Sequence, residues 1–197
     1  MSKTEKRGKQ RRLYRSLPVF CLLIFFISGC SNGMKQYVRP NFDFSAVRTV
    51  AVLPLENFTS DKYAGGKIRS KVIIELLSRG IDVIEPGEII MTLRELKVRS
   101  IDSIRTEDIQ EMGRMLDAEA VIKGSVEAFG ISKGITVSYP EVSIDLTLID
   151  TASGNIIWSV WHTSGGASFW TRHFGTEGMT LDNTSAKVVK EIFDTIY

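Results

Sequence analysis

The chain has 197 residues, with 25 basic against 23 acidic side chains and only two cysteines. Residues 1–29 hold seven of the basic residues and one of the acids, so the remainder carries 18 basic and 22 acidic residues. A net acidic body without clustered Lys and Arg excludes a nucleic-acid footprint. Two cysteines, Cys21 and Cys30, exclude a disulfide framework and a cysteine-rich metal site.

The first sixteen residues include Lys3, Lys6, Arg7, Lys9, Arg11, Arg12 and Arg15 against the single acid Glu5. An apolar run from Leu17 to Ile27 follows, then Ser28-Gly29-Cys30. This is the anatomy of a secretory signal: charged region, apolar region, small-residue cleavage site. The run is shorter than the ~20 residues that span a bilayer. Ile27-Ser28-Gly29-Cys30 resembles the lipobox of bacterial lipoproteins. The resemblance implies recognition of Ile27, Ser28 and Gly29 by a signal peptidase, cleavage before Cys30, and acylation of the Cys30 sulfur and new amino terminus. Several acyl chains on one residue anchor stably where one chain anchors marginally. Ser31, by resemblance to enteric lipoproteins that carry Asp there for inner-membrane retention, implies the outer membrane, with the domain facing the periplasm.

Residues 1–29 are thus read as a signal peptide, 30–47 as lipidated cysteine and flexible tether, and 48–197 as one periplasmic domain. Asn32, Gly33, Pro40 and Asn41, without periodicity, carry the tether reading. Thr49–Leu55 is an apolar run that fits a strand covered on both faces. Ile68, Val72, Ile73, Leu76 and Leu77 predict one face of a helix from about 65, ended by Gly80 as a C-cap glycine. Ile81–Glu85 completes a βαβ unit with parallel strands.

Helices are predicted over about 87–97 and 106–116, the second with Thr106 as N-cap and Glu107 and Asp108 at its positive end. Ala120–Ile131, Ser138–Asp150 and Asn155–Ser164 read as successive strands. Val142, Ile144, Leu146 and Leu148 alternate with Ser143, Asp145 and Thr147, the pattern of a sheet with one protected face. Gly124 within the first of these permits a bulge or close backbone approach. A last helix over about 182–196 is expected to bury Ala186, Val189, Ile192, Phe193 and Ile196. The order β-α-β-α-α-β-β-β-α makes a mixed sheet with packed helices, an α+β (mixed α/β) domain.

Three stretches together carry a family resemblance: Val50-Ala51-Val52-Leu53-Pro54-Leu55-Glu56-Asn57-Phe58-Thr59, Leu116–Val126 and Leu146–Trp158. They resemble the superfamily of bacterial envelope proteins that includes the TolB amino-terminal domain, LpoB-type synthase activators and the CsgG secretion lipoprotein. The resemblance implies a fold; functions within the superfamily differ.

The residues offer no catalytic constellation. His162 and His173 lack metal-helix spacing and read as surface or hairpin histidines. Gly65-Gly66-Lys67 departs from a phosphate loop, with Asp61 at the first glycine position and Ile68 where Ser or Thr would hold Mg²⁺. Asp145 and Asp150, five apart, fall on opposite strand faces. Serines occur without a G-x-S-x-G elbow. The expectation is a non-enzymatic protein without cofactor or metal, its one covalent group the lipid on Cys30.

All three tryptophans lie in 158–174. Trp158 and Trp161 are expected on opposite faces of a strand. Phe169, Trp170, Arg172 and Phe174 follow a glycine pair and are the candidate partner-binding residues, being aromatic and arginine residues of the kind that anchor interfaces. The expected function is a membrane-anchored adaptor or assembly factor of the cell envelope, with an envelope protein as partner. The alternatives are an oligomeric CsgG-like secretion-pore subunit, with Ile156–Ser164 and Ala167–Gly175 as arms of a membrane hairpin, and a small-ligand-binding module.

Overall fold

The structure, a computed structural model, describes residues 34–133, 138–165 and 180–196. Strands are β1 (Lys35–Val38), β2 (Thr49–Val52), β3 (Glu56–Asn57), β4 (Asp82–Val83), β5 (Ala120–Lys133), β6 (Ser138–Asp150) and β7 (Ile156–Ser164). Helices are α1 (Ala64–Ser78), α2 (Pro86–Glu95), α3 (Thr106–Leu116) and α4 (Leu181–Phe193), with a 3-10 turn at Phe44–Ala46. The strands form one mixed seven-stranded sheet in the order β1-β7-β6-β5-β2-β4, with β3 beside β5. The expected α+β architecture holds.

Val50, Ala51 and Val52 are fully buried because β2 is covered on both faces. Val50 and Val52 pack with Ile68, Val72 and Leu76 of α1 and Val188, Ile192 and Phe193 of α4. Ala51 and Leu53 pack with Ile89 and Leu93 of α2 and Ile109 and Met112 of α3. As expected, β2 and β4 are parallel, joined through α1. Gly80 takes φ 78°, and its N–H donates to Leu77 O while that of Ile81 donates to Leu76 O. That is a Schellman cap, and Leu76 and Ile81 supply its apolar contact.

Several details depart from the reading of the sequence. Lys35–Val38, placed in the tether, forms edge strand β1, antiparallel to β7. All four of its side chains are exposed, so no burial rhythm marks it. Phe42 and Phe44, also in that stretch, stack edge to face at 5.0 Å and lie against the core. Thr106 is the first residue of α3 rather than its cap. The cap position is Arg105, whose N–H donates to Asp108 Oδ2 at 3.3 Å and whose guanidinium pairs with the same carboxylate. In α4, Ala186 is exposed, and the buried stripe runs through Thr184, Ser185, Val188, Val189, Ile192 and Phe193. Ser185 tolerates burial because its hydroxyl donates to Asp182 O. Leu77 is likewise exposed, one step past the α1 stripe. The ladder irregularity of β5 falls between Val126 and Ala128, while Gly124 provides the close approach.

Candidate functional site

Ile27, Ser28, Gly29 and Cys30 lie outside the described residues, as do Phe169, Trp170, Arg172, Phe174 and His173. Trp158 and Trp161 are described and do take opposite faces of β7. Trp158 is fully buried; Trp161 is 37% exposed. The arm Ile156–Ser164 bonds to β6 on one side and β1 on the other, with Ile157, Trp158, Val160 and His162 buried. That first arm of the hypothetical membrane hairpin is therefore part of the sheet. His162, read as a surface or hairpin residue, is buried, with Nε2 2.8 Å from Glu191 Oε2 of α4. Strand alternation puts it on the helix-covered face, beside Val160 rather than Trp161.

The strand registers define what the covered face leaves behind. The cluster under α2 and α3 draws on β2, the start of β5 and the end of β6, and takes no residue from β1 or β7. Along the rest of that face, one row runs Lys35, Trp161, Asp145, Ser125, Glu56 across β1, β7, β6, β5 and β3. A second runs Tyr37, Ser159, Thr147, Lys123. Cross-strand partners stand on the same face, about 5 Å apart, so each row is contiguous. Thr147 and Ser159 share a hydroxyl bond of 3.1 Å, and Thr163 donates to Ser143 at 2.8 Å. The centre of the face is therefore low and hydroxylic. Exposed Tyr37 and Trp161 rise on one side of it. On the other side lies a cavity of about 190 Å³, lined by Glu56, Asp102, Lys123 and Asp145 among others.

Asp145 is the chemically unusual member. It is half-buried, and among the described residues no cation pairs with it within salt-bridge distance. Burial first, then the negative charge of Glu127, raises its carboxyl above the usual carboxylate range, with Lys123 opposing. A carboxyl harder to ionise in the folded than in the unfolded chain weakens the fold as pH rises through its folded value. Asp145→Asn is expected to raise the urea midpoint at pH 7. The gain should vanish below about pH 4, where the unfolded chain's carboxyl is protonated as well. A midpoint that falls at pH 7 would show instead that the carboxylate holds the fold together.

Among the described residues no cluster of three or more His, Cys, Asp or Glu is arranged to hold a metal ion, and no helix is long and apolar enough to cross a membrane.

Among the described residues the sheet is covered by helices along one face and over only part of the other, and it is the family of the chain, rather than this fold, that makes it a bacterial envelope lipoprotein. It belongs to the GNA1162-like lipoprotein family, which matches residues 38–197. Solved structures share the fold. A PelC dodecamer from Paraburkholderia phytofirmans is 23% identical with a TM-score of 0.57, covering 81% of this chain and 93% of that one. Lipoprotein GNA1162 from Neisseria meningitidis is 19% identical with a TM-score of 0.53, covering 74% and 98%. The hypothetical protein CT253 from Chlamydia trachomatis is 12% identical with a TM-score of 0.52, covering 76% and 95%. No curated protein matches in sequence.

Proposed function

We propose that this protein is a lipid-anchored, non-enzymatic adaptor of the outer membrane, which docks an envelope component on the bare face of its sheet. The family supports the envelope lipoprotein; the exposed Trp161–Tyr37 rim beside the unpaired Asp145 is the observation that carries the docking role. An acylated Cys30 would leave only Ser31–Met34 before β1 begins at Lys35. At no more than about 3.6 Å per residue, that chain reaches at most ~18 Å. Such a leash is shorter than the tether read from the sequence, and it raises the effective concentration of the domain for partners close to the membrane.

A second reading is self-assembly, favoured by one observation: the similar PelC structure is a dodecamer. Chemical crosslinking in intact cells, with Cys30→Ser as the unanchored control, separates the two. The adaptor reading expects a distinct envelope protein in the captured complex, reduced at least several-fold in the control. A ladder of rising multiples of the chain alone would replace it with self-assembly.

A further inference from the structure

Resting on the docking role proposed above, we infer that the bare sheet face receives a basic polypeptide segment, one that sets Lys or Arg side chains over Trp161 and against Asp145.

Charge is the first argument. Glu56, Asp102, Asp145 and Glu127 border the face, and Glu141 joins them through the register that pairs it with Gly130. Glu127 accepts from Ser125, and Glu141 from Ser132, so both carboxylates turn toward the hydroxyls of this surface. Only Lys35 and Lys123 answer them from the same rows. Among the described residues the acids of this face outnumber its bases, and a cationic partner is the complement.

The second argument is the local chemistry of one pair. Asp145 stands directly opposite Trp161 in the β6–β7 register. A half-buried carboxylate without a salt bridge, beside the edge or face of a partly exposed indole, offers a guanidinium both a charge-assisted bond and an aromatic surface. A neutral ligand could donate a hydrogen bond to the carboxylate but would leave its charge uncompensated, and an acidic one would meet it unfavourably. An anionic lipid headgroup has the same difficulty.

The third is shape. Small hydroxyl side chains, the buried Ser143 and Thr147 and the half-buried Ser159 and Thr163, floor the middle of the face between the aromatic rim and the acid-lined cavity. An extended segment fits such a trough, its side chains alternating between the trough and solvent.

The test uses the full-length protein purified in detergent and a fluorescent peptide of alternating Arg and Gly, eight residues long, read by anisotropy. The peptide should bind, with affinity falling as salt rises. Asp145→Asn and Trp161→Ala should each weaken binding about tenfold or more, while Glu107→Gln, on the exposed first turn of α3, should leave it within about twofold. Equal loss on Glu107→Gln would reduce the effect to diffuse charge and overturn the assignment. So would equal binding of the Glu-Gly counterpart, absence of binding, or a response of these variants to phosphatidylglycerol vesicles and not to the Arg peptide. The docking role itself fails separately, through crosslinking in cells. A captured partner whose contact segment at this face lacks basic residues would sink the inference and leave the adaptor standing.

Discussion

Trp158→Ala is expected to cost about 3–5 kcal/mol in urea unfolding, the range for emptying a large aromatic site in a core. Trp158 is fully buried, its ring centroid 5.6 Å from that of Phe193. Its indole N–H donates to Thr195 Oγ1 at 3.2 Å, and that hydroxyl donates to Ile192 O. The side chain thus joins β7 to the end of α4, and both its packing and its polar atom lose partners on truncation. Trp161→Ala, on the opposite face of the same strand, should change stability by no more than about 0.5 kcal/mol. Comparable losses at the two positions would mean that the bare face is covered in the folded protein.

Gly124→Val should be at least as damaging, and for a backbone reason. A Cβ at Gly124 would sit 2.0 Å from Asp145 O and 3.0 Å from Leu146 Cα, atoms of the neighbouring strand that no rotamer can move. β5 and β6 would have to separate at the centre of the longest ladder in the sheet. The expected result is a cost of roughly 3 kcal/mol or more, or failure to accumulate folded protein, with Asp145 displaced as well. Gly130→Ala is the matched control: the added carbon meets nothing within 4 Å, so the midpoint should barely move. If Gly124→Val folds with unchanged stability, the tight β5–β6 pairing around Asp145 is wrong.

What the sequence made legible follows from which residues have a rhythm. Val142 to Leu148 alternate against Ser143, Asp145 and Thr147, and that pattern reads as a sheet with one protected face; it does not show that Ser143 and Thr147 on the other face are buried as well. The Gly80 ending of α1 is equally readable, since glycine suits a left-handed cap; the Leu76–Ile81 contact that completes it is not. β1 escaped because an exposed edge strand has no buried side to alternate with. β3, two residues long, lies below any periodic signal. The cap of α3 lies one residue before Thr106 because Asp108, at the third helical position, builds it, and no Ser or Thr side chain at the boundary marks it.

The candidate surface was legible only in pieces. Trp161 stood out as an aromatic residue and Asp145 as a carboxylate, but they are neighbours through a hairpin register, and Lys35 and Tyr37 join them from a strand more than a hundred residues earlier. The unpaired state of Asp145 likewise depends on where Lys123 and Glu127 fall around it. Pairing geometry of this kind is tertiary information. His162 shows the reverse case: its burial against Glu191 depends on α4 crossing the covered face, which a hairpin reading of residues 155–164 does not contain.

The claim that this face is where the protein does its work is tested most directly by site-specific photocrosslinking in living cells, with a photoreactive phenylalanine at Tyr37 or at Trp161 and, for comparison, at the exposed Ile74 of α1. The account predicts a discrete adduct with another envelope protein from positions 37 and 161 and none from 74. Adducts from position 74 alone, or from all three with the chain itself, would contradict it.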